Sequence, residues 1–165
     1  MARHFYMKVE GAKQGTFTGE VTDPTQSPAS LGLGFEHTIS VPRDAASGLP
    51  TGKRQHAPIT IIKEWGAASP QLFQALVTNE SLKTVQFDFY EPENTDGVQS
   101  RHYTIKLTNA TVSKIEQYEN FNATGHQDAD DPRFLEDVSF SYQKIDVVHY
   151  ASKNAASDTV GGSTR

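Results

Sequence analysis

Residues 47–64 read SGLPTGKRQHAPITIIKE and join a polar loop directly to an apolar strand. Two glycines and a proline lie at alternate positions within residues 48–52, a spacing that is typical of a loop. The next four residues, 53–56, are Lys, Arg, Gln and His, and four consecutive polar side chains cannot all face a core. Residues 59–62, Ile-Thr-Ile-Ile, are β-branched, as is typical of a buried strand. The stretch therefore predicts a positively charged loop that is anchored to a core strand.

The composition limits the kinds of protein that this chain can be. At 165 residues it has the length of one domain, which we assign to residues 1–150. Its net charge of −5 argues against a general nucleic-acid-binding protein. It contains no cysteine, which excludes disulfides and thiolate chemistry. No apolar run has the length of a signal peptide or of a membrane span, so we expect any export to use a route without a cleaved signal.

Alternating apolar and polar residues predict about eight strands and a mainly β fold. An all-β chain must close its sheet or cover its edges, which favours a barrel or a sandwich. Polar loops are predicted at residues 91–99 and 119–133, and the Ser/Ala/Gly-rich residues 151–165 predict a disordered tail. The predicted strands are residues 4–10, 16–21, 32–41, 58–64, 82–90, 103–107, 110–115 and 134–150.

One helix is predicted, at about residues 69–79. Ser69 followed by proline is typical of a helix start, with the serine hydroxyl as the N-cap. Leu72, Phe73 and Leu76 form one apolar stripe, and Asn79 is suited to a left-handed stop. So short a helix must dock this stripe on the sheet to be stable.

The sequence indicates no catalytic, cofactor or metal site. The segment from Gly48 to Lys53 differs from a phosphate loop, because only three residues separate its glycines and no hydroxyl residue follows the lysine. The acidic cluster at residues 128–131 lacks the glycine and the distal glutamate of a calcium loop. The six histidines have none of the short spacings of zinc sites, and no nucleophile motif is present. We therefore expect a protein that is not an enzyme.

The polar loop remains as the candidate site, and two interpretations of it are open. It is either a solvated hairpin tip or a contact surface whose cations bind carboxylates of a neighbouring molecule. A basic loop that meets an acidic face of an identical subunit makes a head-to-tail contact, and such contacts close into rings or extend as filaments. The candidate interface residues are Gly48, Thr51, Gly52, Lys53, Arg54, Gln55 and His56.

Four blocks of this sequence resemble the haemolysin-coregulated proteins of type VI secretion. The blocks are residues 47–64, residues 68–72 (ASPQL), residues 103–110 (YTIKLTNA) and residues 136–145 (EDVSFSYQKI). The likeness extends from the first strand to about Tyr150. It implies a compact antiparallel β-barrel of two sheets with one flanking helix.

The resemblance also implies a function and partners. Members of this family form hexameric rings that stack into a hollow tube, with a spike protein at its tip and a contractile sheath that ejects it. Effector proteins can travel in the lumen, and the loop at residues 48–56 would reach the adjoining ring. The expected location is the cytoplasm before firing, and then the extracellular space or a target cell. The alternative is a monomeric barrel that holds a small apolar ligand.

Overall fold

The computed structural model of the chain describes residues 4–91, 99–119 and 133–160, in which eleven strands and one helix are found. The elements are β1 (Phe5–Gly11), β2 (Gly15–Thr16), β3 (Ser30–Glu36), β4 (Ile39–Ser40), β5 (Gln55–His56), β6 (Ile59–Glu64), α1 (Ser69–Val77), β7 (Leu82–Tyr90), β8 (Arg101–Glu119), β9 (Phe134–Ser141), β10 (Lys144–His149) and β11 (Asn154–Thr159). Most of the loops predicted at residues 91–99 and 119–133, including the acidic cluster, lie outside the described residues.

Six strands close into a barrel. Their order is β8, β7, β1, β3, β6 and β9, and β9 pairs back with β8 to complete the ring. The strands β10 and β11 extend the sheet from β8, while β4 and β5 form a separate two-stranded sheet. The predicted mainly β barrel with a flanking helix is confirmed. Its sheet is continuous around the barrel, and the second sheet is a small hairpin outside it.

Closure depends on the 19-residue strand β8, which changes neighbours along its length. Its first half pairs with β7 on one edge and with β10 on the other, and its second half pairs with β9. Asn109 lies between the halves with φ of 49°, a left-handed conformation that asparagine tolerates better than most residues. The two strands predicted at residues 103–107 and 110–115 are thus one continuous strand.

The hydrophobic core fills the barrel. Alternate residues of its strands point inward, as the period-two pattern predicts. The rings of Phe5, Phe35 and Phe87 meet edge to face, with centroids 5.3 to 5.9 Å apart. Such contacts add to the stabilisation from burial alone. Fully or nearly fully buried side chains of the core include Phe5, Met7, Val9, Ile59, Ile61, Leu72, Val85, Phe87, Leu107, Val138 and Phe140.

The helix α1 packs its inward face against the sheet. Leu72 and Ala75 are buried, whereas Phe73 is exposed, so the predicted stripe is wrong at Phe73. The apolar residue at position 73 lies more than 90° around the helix from Ala75, on the solvent side. The predicted stop is confirmed, because Asn79 follows the helix with φ of 51°. Its backbone N–H donates to the carbonyl of Leu76 at 3.2 Å, as in a Schellman motif.

A buried ion pair lies beside the start of α1. Lys63 of β6 and Glu136 of β9 are register partners, and Lys63 Nζ lies 2.9 Å from Glu136 Oε1. Ser69 Oγ donates to the same oxygen at 2.7 Å, and Gln117 Nε2 donates to Glu136 Oε2 at 3.0 Å. The predicted hydroxyl N-cap is therefore wrong. The N-cap is Ala68, because the Ser69 hydroxyl is bonded to Glu136.

The C-terminal segment contains an ordered strand. β11 pairs with β10 along its whole length, from Lys144 opposite Thr159 to His149 opposite Asn154. This finding corrects the disordered tail that was predicted for residues 151–165, of which residues 161–165 lie outside the described part of the chain. The side chains of β11 are small and show no apolar alternation, so the sequence shows no strand signal there. Backbone hydrogen bonding to β10 holds the segment as a strand.

Candidate interaction site

Residues 38–57 form a β-hairpin outside the barrel, which we call the arm. Its two limbs pair at Ile39 opposite His56, and again at an isolated bridge between Arg43 and Pro50. Nearly all of its residues are exposed. The polar loop that the sequence predicts is therefore one limb and the tip of a longer, ordered hairpin.

Local hydrogen bonds shape the tip of the arm. Asp44 Oδ2 accepts from the Ser47 hydroxyl at 2.7 Å and from the Ser47 backbone N–H at 2.8 Å. These bonds hold the pKa of Asp44 below its ordinary value. Gly48 follows with φ of 70°, a conformation that glycine adopts without the steric cost of a side chain. Its carbonyl accepts from Arg43 Nη1 at 2.9 Å.

The arm exposes apolar side chains as well as polar ones. Leu49 near the tip is 65% exposed, Ile39 is 46% exposed and Val41 is 39% exposed. The sequence pattern predicts one strand over residues 32–41, with Ile39 and Val41 at the same parity as Leu33 and Phe35. That prediction is wrong, because β3 ends at Glu36 and the chain leaves the barrel there.

The base of the arm is bonded to the C-terminal strand β11. Arg54 binds both carboxylate oxygens of Asp158, with Nε 2.5 Å from Oδ2 and Nη2 2.7 Å from Oδ1. His56 Nε2 lies 2.7 Å from the same Oδ2. The Arg54 hydrogen bond, followed by that of His56, lowers the pKa of Asp158 to about 2. The carboxylate is therefore charged throughout the physiological range.

Tyr142 connects this base to the barrel. Its hydroxyl lies 3.0 Å from His56 Nδ1 and 3.2 Å from His37 Nε2. The His56 side chain is only 3% exposed. Burial, followed by the electrostatic effect of the neighbouring His56, lowers the pKa of His37 below its ordinary value. Burial raises the pKa of Tyr142 to about 12, so its hydroxyl keeps its proton there.

The structure divides the seven predicted interface residues into two groups. Arg54 and His56 are held at the base by Asp158, so these two side chains are engaged within their own chain. Nothing in the sequence pattern points to Asp158, which lies 104 residues from Arg54 in a segment without periodicity. The other five predicted residues are exposed along the arm, namely Gly48, Thr51, Gly52, Lys53 and Gln55.

A cavity of about 620 Å³ lies between the strands at one end of the barrel. Aromatic and aliphatic side chains form most of its wall, with His4, Glu91 and His102 among the polar residues. His102 Nδ1 lies 3.1 Å from Glu91 Oε1. Within the described ranges, no group of three or more His, Asp or Glu residues is arranged to bind a metal ion. None of the helical structure in these ranges has the length and apolar character to cross a membrane.

Comparisons with known proteins give a consistent result. Residues 6–149 match the family model described as type VI secretion system effector, Hcp. The major exported protein of Pseudomonas aeruginosa is 35% identical over 169 aligned residues, which cover 96% of this chain and 95% of that protein.

Solved structures of Hcp proteins are also similar. The crystal structure of an Hcp protein has a TM-score of 0.86 and 28% identity, and the match covers 98% of this chain and all of that one. The secreted protein Hcp3 from Pseudomonas aeruginosa has a TM-score of 0.74 and 29% identity, with 96% and 98% covered. The family resemblance of the four sequence blocks is confirmed. This chain belongs to the Hcp family of type VI secretion system effectors.

Proposed function

We propose that this chain is the structural subunit of a type VI secretion tube and has no catalytic role. Six copies associate head to tail in a ring, and rings stack into a hollow tube whose lumen carries effector proteins. Family membership supports the proposal. A head-to-tail contact can close into a ring, and repetition along the ring axis gives a tube.

The arm is the observation that carries this proposal. Ordering a segment costs roughly 1–2 kcal/mol of backbone entropy per residue, and an exposed hairpin recovers little of it by burial in its own chain. The arm nevertheless is folded along its length and exposes three apolar side chains. Apolar side chains exposed along an ordered element favour an interaction surface. We infer that the arm reaches the next ring, with Leu49 and Lys53 among its contact residues.

Export and the remaining partners are part of the same proposal. The subunit is cytoplasmic before firing and reaches the extracellular space or a target cell afterwards. A contractile sheath surrounds the tube and a spike protein lies at its tip. Support comes from two relatives from Pseudomonas aeruginosa, of which one is a major exported protein and the other a secreted protein.

Substitution of Lys53 tests the proposed stacking contact. Lys53→Glu reverses one exposed charge on the arm and leaves the Arg54–Asp158 pair intact. We expect this variant to keep the mass of a ring in native mass spectrometry and to lose long tubes in negative-stain electron microscopy. Lys83→Glu makes the same charge change at an exposed residue of β7 and serves as the control. Unaltered tubes from Lys53→Glu would argue against the arm as the stacking contact.

The cavity favours one alternative, a monomeric barrel that binds a small apolar ligand. Its volume of about 620 Å³ lies in the usual range for ligand sites. This alternative requires a monomer with bound ligand after purification in mild buffer. Native mass spectrometry separates the two functions, because the tube subunit requires the mass of a ring without added ligand.

A further inference from the structure

Asp158 is the residue of β11 through which the C-terminal strand holds the arm. Its two oxygens are both used, since Arg54 binds them in a bidentate manner and His56 shares one of them. Paired N–H···O bonds of this type fix the plane of the guanidinium as well as its distance. Arg54 Nη2 also donates to the backbone carbonyl of Thr159 at 3.2 Å. The base of the arm is thus oriented by the C-terminal strand.

The neighbouring side chains form a continuous chain of hydrogen bonds. The charged carboxylate of Asp158 can only accept, so His56 must donate to it from Nε2. The Tyr142 hydroxyl lies within hydrogen-bond distance of His56 Nδ1, at 3.0 Å, and of His37 Nε2, at 3.2 Å. The chain therefore runs from His37 at the start of the arm, through Tyr142 and His56, to Asp158 of β11.

This arrangement contacts both limbs of the arm. His37 directly precedes the first limb, and His56 lies near the end of the second limb, opposite Ile39 in the ladder. Both imidazoles meet at Tyr142, which lies between β9 and β10. Both side chains of the arm that bind β11, Arg54 and His56, bind it through Asp158, and Arg54 adds its bond to the Thr159 carbonyl. The bonds of Asp44 and Ser47 at the tip are local. The orientation of the whole hairpin is therefore sensitive to one carboxylate.

We propose that Asp158 is a positioning residue for ring stacking, and that β11 sets the angle at which the arm meets the next ring. This inference rests on the proposed tube function. Arg54 and His56 then contribute to stacking indirectly, because they hold the arm in place. The exposed residues of the arm make the contact with the next ring. A loss of the Asp158 charge leaves the barrel core unchanged and releases the arm.

The test compares Asp158→Asn with a matched control, Asp146→Asn. Both aspartates lie in the β10–β11 extension, with side chains 30% and 32% exposed, and both form an ion pair. Asp158→Asn should make the amides of the arm exchange hydrogen about tenfold faster, with the exchange in β1 and β7 unchanged. In the same variant rings should persist and tubes should become rare in electron micrographs. Asp146→Asn should resemble the wild type both in amide exchange and in electron micrographs.

A second variant, Arg54→Gln, breaks the same pair from the side of the arm. It should reproduce the faster exchange and the loss of tubes, and it tests the inference even if Asp158→Asn does not fold. Unchanged exchange in the arm of these variants would overturn the inference, and so would faster exchange with normal tubes. The proposed tube function fails by a different result, namely the absence of rings and tubes from the wild type.

Discussion

The buried pair of Lys63 and Glu136 allows a quantitative prediction about stability. Lys63→Met keeps the length of the side chain and removes its charge, which leaves the Glu136 carboxylate 1% exposed without a counter-ion. Removing one member of a buried ion pair typically costs about 3–5 kcal/mol of unfolding free energy. Ser69 and Gln117 still donate to the carboxylate at 2.7 and 3.0 Å. Because these two donors remain, we expect the lower end of the range, about 3 kcal/mol.

Equilibrium unfolding in urea measures this loss. The single tryptophan, Trp65, lies next to the β6–β9 pair and donates its indole N–H to the carbonyl of Leu135 at 2.7 Å, so its fluorescence reports the transition. All variants must be compared at one protein concentration, since self-association adds to the apparent stability. The double variant Lys63→Met, Glu136→Leu should recover much of the loss, because an apolar replacement of a buried pair is often neutral. A loss below about 1 kcal/mol in Lys63→Met, or a double variant no more stable than the single one, would refute the reasoning.

Three further predictions concern the backbone, the C terminus and pH. Gly19→Ala places a Cβ 2.0 Å from the carbonyl oxygen of Ala29, so we expect a loss of about 3 kcal/mol or more in urea unfolding. Gly52→Ala meets only ordinary contacts and should have little effect. Deletion of residues 152–165 should lower the melting temperature clearly, because it removes β11 and Asp158. An unchanged melting temperature would show that β11 adds nothing to the stability of the fold. The pKa of Asp158 is about 2 in the folded protein, below its ordinary value of 3.8. The ionised carboxylate therefore stabilises the fold fully at pH values above 3.8, and this stabilisation is lost as the pH falls toward 2. The stability difference between the wild type and Asp158→Asn should therefore shrink between about pH 4 and pH 2, and a constant difference there would contradict this.

Local patterns predicted those parts of the fold that are decided by burial within the chain. Val85 and Phe87 alternate with polar residues because one face of β7 is inside the barrel. Asn79 ends the helix because few residues adopt a left-handed conformation at low cost. The continuity of β8 through Asn109 could not be predicted in the same way. The residues of β8 up to Ala110 pair with β7 and those from Thr111 onward pair with β9, and these partner strands are separate segments of the sequence.

The candidate site was predicted only in part, for two physical reasons. Ile39 and Val41 have the apolar period of a core strand although they are exposed in this chain, because periodicity alone does not fix what an apolar side chain packs against. Asp158 belongs to a run of small and polar residues, and its role depends on pairing with Arg54 across the fold. The polarity of residues 53–56 predicted a loop outside the core, in which Lys53 and Gln55 are exposed. The partners of Arg54 and His56 at the base are visible only in the three-dimensional fold.

Chemical labelling of the arm tests the central claim most directly. The native sequence has no cysteine, so Leu49→Cys introduces a single thiol at a position that is 65% exposed in the isolated subunit. Its rate of alkylation should be high in separate rings and at least about tenfold lower in tubes that are verified by electron microscopy, since burial against the next ring denies access to the thiol. Equal rates in rings and in tubes would show that the tip of the arm stays in solvent and would contradict the account.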